Sequence, residues 1–337
     1  MADDKIFRTY NQQMRRLRNG KKIECEGSKH KQILIRAGYF NIINGYKTPF
    51  TCGTDASGSH VYLPNTDIDQ LYALKKFDDR LRLFLLDHIT RVEEEVRTLT
   101  GYKFDQCNSN GKIPWYDTTA YSPSSRLQSR MNAISSAYSE LSSSQQEYVR
   151  FYMENHTLIP TWIMIKVVNF STFINVLQNS KTDVTHSICK LYGMLDQKGY
   201  PNVKLLIGSL HWLRKVRNSC AHNERIYCIH QSRERHRNNS GRIIEHYISS
   251  MAPSYSRDTD KRVFDLLVYF KYYLPDNEYH EMISVLQDML NQLQCSISKN
   301  AFDNVRGQMG IKDLNDLDTL KKLPKDPIKY NQFDSLK

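Results

Sequence analysis

The stretch Leu205-Leu-Ile-Gly-Ser-Leu-His-Trp-Leu-Arg-Lys-Val-Arg-Asn-Ser-Cys-Ala-His222 has the period of an amphipathic helix. Its apolar side chains recur every three or four residues, at Leu206, Leu210, Leu213, Val216 and Cys220. Positions three or four apart share one helix face, so this row predicts a face buried in a core. A second row with similar spacing consists of His211, Arg214, Asn218, His222 and Arg225. This row collects imidazoles, guanidiniums and an amide, and we expect it to face water or RNA.

A long helix is predicted before this stretch. Apolar residues recur at helical spacing over residues 71–99, and charged residues occupy the other faces. Thr66, with Asp69 three residues later, resembles a capping box with a shortened acid and predicts the helix start. Most of the charged residues are expected to face solvent, although Glu93 or Arg97 could face a site in the core.

Other segments of the chain also read as helices. Pro160 opens a helical pattern over residues 160–177, since proline fits the first turn of a helix. Residues 260–274 and 278–297 are amphipathic, whereas residues 48–66 read as a loop and residues 102–146 as a polar connection. Strand-like alternation is nearly absent and no internal repeat is evident. The sequence therefore predicts an all-α helical bundle.

The chain divides into three predicted parts: a basic N-terminal segment and loop (residues 1–65), a helical core (66–250) and a helical C-terminal extension (251–337). Residues 3–37 carry ten basic and four acidic side chains, an excess of six positive charges. Such a surface is either a solvated helix face or a contact for RNA phosphates. Within it, we predict RNA contacts for Arg15, Arg16 and Arg18.

Composition and charge narrow the class of partner. The 337 residues contain 47 Lys and Arg against 36 Asp and Glu, so the net charge is +11 and favours polyanions such as nucleic acid. No signal peptide and no membrane-spanning run is visible, so we expect a cytoplasmic protein without a membrane contact. The seven scattered cysteines form no C-x-x-C pair, which indicates reduced thiols, no metal site and no cofactor.

Arg217 and His222 are the candidate reactive pair. Metal-free RNA cleavage needs a base for the 2′-hydroxyl proton, cations for the pentacovalent phosphorane and an acid for the 5′-oxygen. Imidazole suits either proton step, and a guanidinium suits the phosphate. On an ideal helix Arg217 lies about 140° from His222, so its long side chain or a helix end near Ala221 must bring the two together. The alternative is a structural role, in which Arg217, Asn218 and His222 cap the end of the helix and hold the next segment through hydrogen bonds.

The surroundings of this pair resemble a known family. Residues 213–227 contain Arg217-Asn-Ser-Cys-Ala-His222-Asn-Glu-Arg225, which is similar to the Arg-Asn-x-Cys-Ala-His-x-x-Arg signature of the bacterial abortive-infection (Abi) family related to AbiD and AbiF. Similarity extends to Ala37-Gly-Tyr-Phe-Asn-Ile-Ile-Asn-Gly-Tyr46, to residues 77–97 and to residues 160–171. The four segments follow the family's order between residues 37 and 230.

The resemblance implies a HEPN-like helical bundle, the superfamily whose Arg-x(4–6)-His motif gives metal-independent endoribonucleases. It implies that Arg217 binds the scissile phosphate, that Asn218 orients neighbouring groups and that His222 transfers protons, with Arg225 as the trailing arginine. Further RNA contacts are predicted at Arg214, Arg225, Arg233, Arg235 and Arg237. Two residues depart from the family pattern: Lys166 stands in place of a glutamate and Asn44 in place of a serine.

The predicted function is that of an antiviral endoribonuclease that cleaves RNA during abortive infection and leaves 2′,3′-cyclic phosphate ends. HEPN relatives commonly pair their motifs across a homodimer, which would supply the second imidazole, although His211 or His230 within one chain could also do so. The alternative function is a non-catalytic RNA-binding or phage-sensing protein that holds a partner noncoding RNA. A weaker third alternative is a helical scaffold for protein partners.

Overall fold

Helices form most of the chain in the computed structural model, which describes residues 7–56, 58–196, 198–232 and 260–323. Of the described residues, 69% are helical, and their strands form only two short antiparallel pairs. The predicted all-α helical bundle is therefore confirmed.

The elements follow one another in this order along the described ranges. The first eight helices are α1 (Tyr10–Arg15), α2 (Gly27–Ala37), α3 (Ile68–Cys107), α4 (Leu127–Ser142), α5 (Glu147–Asn155), α6 (Thr161–Val167), α7 (Phe170–Asn179) and α8 (Thr182–Leu191). The later helices are α9 (Val203–Ala221), α10 (Val263–Tyr273), α11 (Asp276–Gln294), α12 (Lys299–Met309) and α13 (Asn315–Lys322). The paired strands are β1 (Thr51–Thr54) with β2 (His60–Tyr62), and β3 (Gln231–Ser232) with β4 (Asp260–Lys261).

Helix α3 is the long helix that the sequence predicts, and it runs eight residues beyond Leu99. Its 40 residues span about 60 Å at about 1.5 Å per residue. The predicted cap is wrong: the N-cap is Asp67, whose carboxylate accepts the backbone N–H of Gln70 at 2.7 Å. Thr66 instead donates its hydroxyl to the carbonyl oxygen of Leu63 at 2.7 Å, so its side chain closes the preceding turn.

Three segments contain more structure than the sequence suggests. The predicted loop at residues 48–66 holds the β1–β2 hairpin, and the predicted connection at residues 102–146 includes the end of α3 and all of α4. The helical pattern after Pro160 is two helices, because Asn169 caps α7 by accepting the N–H of Thr172 at 3.0 Å. Local capping thus interrupts an apolar pattern that reads as continuous.

Helix α9 lies at the centre of the bundle, packed against α3, α7, α8 and α10. Its predicted apolar face is buried as expected, at Leu206, Leu210, Leu213, Val216 and Cys220. Burying a large aliphatic side chain contributes about 1.5–3 kcal/mol, so this row is enough to fix the rotation of α9 about its axis. The opposite row is thereby left toward the surface.

The C-terminal helices pack onto the same core. Every residue of α10 is buried, and α11 packs on α3. The ammonium of Lys271 in α10 donates to the carbonyl oxygen of Leu320 at 2.8 Å and to that of Lys321 at 3.2 Å, which ties down the end of α13. Asn304 of α12 donates to the carbonyl oxygen of Pro49 at 2.8 Å, which joins the C-terminal helices to the N-terminal segment.

Candidate active site

A groove of about 580 Å³ runs along the solvent side of α9 to its C-terminal end. Its walls include the side chains His211, Arg214, Lys215, Asn218, His222 and Gln231. Four of the five residues in the predicted polar row therefore line one groove, and the fifth, Arg225, lies outside it. The arrangement places two imidazoles, two cations, two amides and the carboxylate of Glu224 along a surface open to a ligand.

His222 is the C-cap of α9 and is exposed. Asn223 follows it with φ +58°, a left-handed conformation that asparagine tolerates well. The N–H of Asn223 donates to the carbonyl oxygen of Cys220 at 3.2 Å, and the N–H of Glu224 to that of Ser219 at 2.9 Å. These two bonds form the Schellman pattern that ends a helix. Local backbone geometry therefore ends α9 at His222 and leaves the imidazole at the mouth of the groove.

Arg217 points to α3 and is not among the groove-lining residues. Its Nε atom lies 3.8 Å from Oε2 of Glu93, and its Nη1 atom donates to Oδ1 of Asn218 at 3.5 Å. The side chain is 41% exposed. The structure therefore links Arg217 to the groove wall through Asn218 and to α3 through Glu93.

Glu93 is held by a second arginine. Arg97 donates from Nη2 to Oε1 of Glu93 at 2.6 Å and from Nη1 to the carbonyl oxygen of Val168 at 2.9 Å. The guanidinium of Arg97 also lies 4.8 Å from the ring centre of Phe173 in α7. Glu93 and Arg97 are therefore largely buried rather than solvent-facing, and their network contacts Arg217 through Glu93.

The cations of the groove are anchored to the protein. Arg214 donates from Nη1 to the hydroxyl of Ser171 at 2.5 Å, and Lys215 donates to the carbonyl oxygen of His230 at 2.8 Å. Burial lowers the pKa of Lys215, although the nearby charge of Glu224 opposes this effect. These contacts fix where the positive charge lies along the groove wall.

The segment after His222 is bound to a buried carboxylate that sequence reasoning missed. Asp78 of α3 is fully buried, and its Oδ1 atom accepts the N–H of Ile226 at 2.9 Å and that of Tyr227 at 2.8 Å. The only signal in the sequence is its place in the row that contains Leu74 and Leu81, where an aspartate stands at a core position of α3.

Four of the other predicted RNA contacts do not line the groove. Arg225 donates to the carbonyl oxygen of Gly45 at 2.7 Å. Arg15 is exposed on α1, Arg16 is half-buried in the π-helical turn that follows, and Arg18 donates to the carbonyl oxygen of Cys25 at 2.8 Å. The predicted contacts Arg233, Arg235 and Arg237 lie outside the described residues.

Lys166 and the cysteine of the motif have their own surroundings. Lys166 is exposed on α6, with its ammonium 5.3 Å from the ring centre of Tyr148.

Cys220 is buried, and burial raises its pKa to about 12, so the thiol is held protonated. It therefore acts as a small core residue, as the sequence suggests.

Comparison with known proteins identifies the family. A family model described as Abi-like protein matches residues 32–228, which is more than half of the chain. The chain belongs to this family. The match covers α3, α9, Asp78 and the Arg217–His222 motif, and the Abi-like family supports a role in abortive-infection defence. Searches of curated proteins and of solved structures gave no significant match.

Across the part of the chain that the structure describes, no helix is both long and apolar enough to cross a bilayer. Across the same residues, no three His, Cys, Asp or Glu side chains are grouped so that they could hold a metal ion.

Proposed function

We propose that this Abi-like protein is a metal-independent endoribonuclease of the HEPN type that cleaves RNA during abortive infection. The observation that carries the proposal is the exposed imidazole of His222 at the end of a groove whose wall holds Arg214 and Lys215. A groove with cationic walls attracts a phosphate backbone, and an imidazole at its end can move protons near neutral pH. The resemblance of the motif to AbiD, AbiF and HEPN nucleases supports the same function.

The proposed reaction is an attack of the ribose 2′-oxygen on the adjacent phosphorus. One imidazole removes the 2′-hydroxyl proton, the bond to the 5′-oxygen breaks, and that oxygen receives a proton from a second acid. The products are a 2′,3′-cyclic phosphate and a 5′-hydroxyl. Arg217 would stabilise the charge on the phosphorane, and Asn218 would orient the Arg217 side chain through their contact.

The weak anchoring of Arg217 is compatible with this role. The ion pair is long, at 3.8 Å, and its Arg217 partner is 41% exposed, so its contribution is about 0–1 kcal/mol. A phosphate in reach of the guanidinium offers two oxygens and a shorter, charge-assisted contact. We therefore expect RNA to draw Arg217 away from Glu93 without disturbing the core, because Glu93 keeps its contact with Arg97.

The second proton-transfer group is proposed to come from a second copy of the chain. His211 lies 11 residues before His222, about 16 Å along the α9 axis, too far to reach the same phosphate. The backbone of His230 is held by Lys215, which donates to its carbonyl oxygen. Lys215 lies about two helical turns before His222, so His230 is held away from the end of α9. A two-fold dimer with the ends of α9 at its axis would bring two His222 side chains together.

The test is RNA cleavage by the purified protein in the presence of EDTA. Wild type should produce 2′,3′-cyclic phosphate ends, and Arg217→Ala and His222→Ala should each lower the rate at least ~100-fold, the usual scale of acid–base and charge stabilisation. His211→Ala lies in the same groove and serves as the matched control, with a rate within about threefold of wild type. RNA binding without products would favour the non-catalytic alternative.

The proposed dimer has its own test. An excess of His222→Ala protein is mixed with wild type under conditions that allow subunit exchange, and cleavage is measured per wild-type chain. If both imidazoles act on one phosphate, mixed dimers are inactive and the activity per wild-type chain falls with the excess. Unchanged activity per wild-type chain would show that each chain acts alone.

A further inference from the structure

Four hydrogen bonds converge on the carboxylate of Asp78. Besides the N–H groups of Ile226 and Tyr227 on Oδ1, the Oδ2 atom accepts the hydroxyl of Tyr46 at 2.9 Å and Nη1 of Arg82 at 3.1 Å. Burial raises the pKa of Asp78, and the backbone, hydroxyl and guanidinium donors act against that effect. A carboxylate in a core is costly unless it is paired and fully hydrogen-bonded, so this site has a cost that an apolar residue would avoid.

The donors of Asp78 come from three parts of the chain, two of them distant from it in sequence. Tyr46 lies 32 residues before it, Arg82 one helical turn after it, and the two N–H groups 148 and 149 residues after it. The rings of Tyr46 and Tyr227 also stack at 5.9 Å with an angle of 24°. The carboxylate thus joins the N-terminal segment, α3 and the segment that leaves the candidate active site.

The segment that follows α9 is tied down at every residue from 224 to 227. Arg82 donates from Nη1 to the carbonyl oxygen of Glu224 at 3.0 Å, and Arg225 donates to the carbonyl oxygen of Gly45. Asp78 then receives the N–H groups of the next two residues. Only Asn223, with its left-handed backbone, separates this attachment from His222.

We propose that Asp78 is a positioning residue for His222: it fixes the backbone after α9 through Ile226 and Tyr227, so that the imidazole is held at the end of the groove. On one side His222 is attached to the last turn of α9, by its N–H to the carbonyl oxygen of Asn218 at 2.9 Å. On the other side it is attached to α3 through the Asp78 contacts. The inference rests on the proposed ribonuclease function, because the position of the imidazole affects a rate only if His222 transfers protons during RNA cleavage.

The size of the expected effect follows from how steeply proton transfer depends on geometry. A displacement of about 1 Å at a reacting group can lower a rate ~100-fold. Asp78 does not touch the groove, so its loss should lower kcat and leave the affinity for RNA nearly intact. A residue that only stabilised the fold would leave kcat unchanged at temperatures far below unfolding.

The experiment compares Asp78→Asn with Asp87→Asn, the same chemical change at an exposed position of α3. In the full-length protein we measure amide hydrogen exchange at residues 224–227, the Cε1–H resonance of His222 and the kcat and KM of RNA cleavage. The His222 resonance is assigned from its absence in His222→Gln. We expect Asp78→Asn to lose at least ~10-fold in amide protection, to shift or broaden the resonance and to lower kcat at least ~10-fold, with KM within about threefold. Asp87→Asn should match wild type.

The outcomes separate this inference from the function on which it rests. If folded Asp78→Asn keeps the wild-type His222 resonance and kcat, Asp78 has no positioning role. If wild type cleaves no RNA, the proposed function fails, and the His222 resonance alone then decides whether Asp78 positions the ring. If Asp78→Asn does not fold, the same measurements are made on Arg82→Lys. This variant keeps the positive charge but loses the contacts of the guanidinium with Asp78 and with the carbonyl oxygen of Glu224.

Discussion

The Nε atom of Arg217 lies 3.8 Å from Oε2 of Glu93, so the arginine of the motif is attached to α3 while His222 opens to the groove. The two side chains of one short motif therefore have different neighbours. Glu93 is buried and also binds Arg97, which makes it a fixed anion against which the longer, half-exposed Arg217 can move. This relationship, and the buried Asp78 earlier in the same helix, make α3 the support of the candidate active site.

Glu93→Gln should lower the free energy of unfolding by about 2 kcal/mol. Arg97 would lose its charged acceptor in a largely buried environment, and hydrogen bonds to charged groups contribute about 1.5–3 kcal/mol. Urea denaturation measures the change. Glu94→Gln, an exposed neighbour, should stay within about 0.5 kcal/mol of wild type. Equal effects of the two substitutions would contradict the anchoring of Arg97 by Glu93.

The cysteines should react with alkylating reagents in an order set by burial. Cys52 and Cys295 are exposed and should be labelled first at pH 8, whereas burial raises the pKa of Cys189 and of Cys220 to about 12. At pH 8 a thiol with that pKa is about one part in ten thousand thiolate, the reactive form. Mass spectrometry of peptides from briefly labelled native protein gives the order. Labelling of Cys220 as fast as Cys295 would be inconsistent with the buried face of α9.

The contribution of Asp69 to stability should depend on pH. Burial acts to raise the pKa of Asp69, but hydrogen bonds from Lys29, at 2.6 Å, and from His30 outweigh it and lower the pKa. A lowered pKa means that the carboxylate stabilises the fold above its unfolded pKa of about 3.9, and that this stability is lost as pH falls through the folded pKa.

Asp69→Asn tests this dependence. The site is partly exposed, so at pH 7 the variant should be less stable by about 0.5 kcal/mol, and the difference should shrink as the pH falls below the unfolded pKa of about 3.9. Urea denaturation at pH 7, 5 and 3 measures it, with Asp87→Asn as an exposed control on the same helix. A difference that persists unchanged to pH 3 would mean that the ionised form of Asp69 is not what the contacts stabilise.

Arg18 should contribute to the stability of the fold, whereas Arg15 should contribute to the affinity for RNA. Arg18 donates to the carbonyl oxygen of Cys25 and lies 3.6 Å from Glu26, so Arg18→Ala should cost about 1 kcal/mol of unfolding free energy. Arg15 is exposed, so Arg15→Ala should leave stability within about 0.5 kcal/mol. If Arg15 contacts an RNA phosphate, its loss lowers the slope of log affinity against log salt by about one. Thermal unfolding and RNA binding at several salt concentrations measure both effects, and an unchanged slope would count against the phosphate contact.

Lys166→Glu should leave RNA cleavage within about twofold of wild type. Lys166 is exposed on α6, lies over the ring of Tyr148 and does not line the groove. The substitution removes a cation–π contact that contributes about 0.5 kcal/mol at an exposed site. Parallel assays of cleavage and thermal unfolding test this. A rate increase of tenfold or more would show that the lysine limits activity despite its position.

Much of α9 could be read from the sequence because helical periodicity is local. Residues three and four apart must share a face, so the buried row from Leu206 to Cys220 and the polar row that lines the groove follow from spacing alone. The placement of Arg217 outside the row that lines the groove also follows from about 100° per residue. The residue that caps a helix was harder to predict from the sequence. Asp67 rather than Thr66 caps α3, because the hydroxyl of Thr66 donates to the preceding turn.

The sequence by itself determined the helical class, the positive charge and the two faces of α9, since each depends on composition or on residues within a few turns. Only the tertiary structure decided which side chains support the site. Asp78 meets backbone groups 148 and 149 residues away, and Glu93 meets Arg217 from another helix. Contacts between such distant residues depend on how α3 packs against α9, and that packing leaves no periodic pattern in the chain.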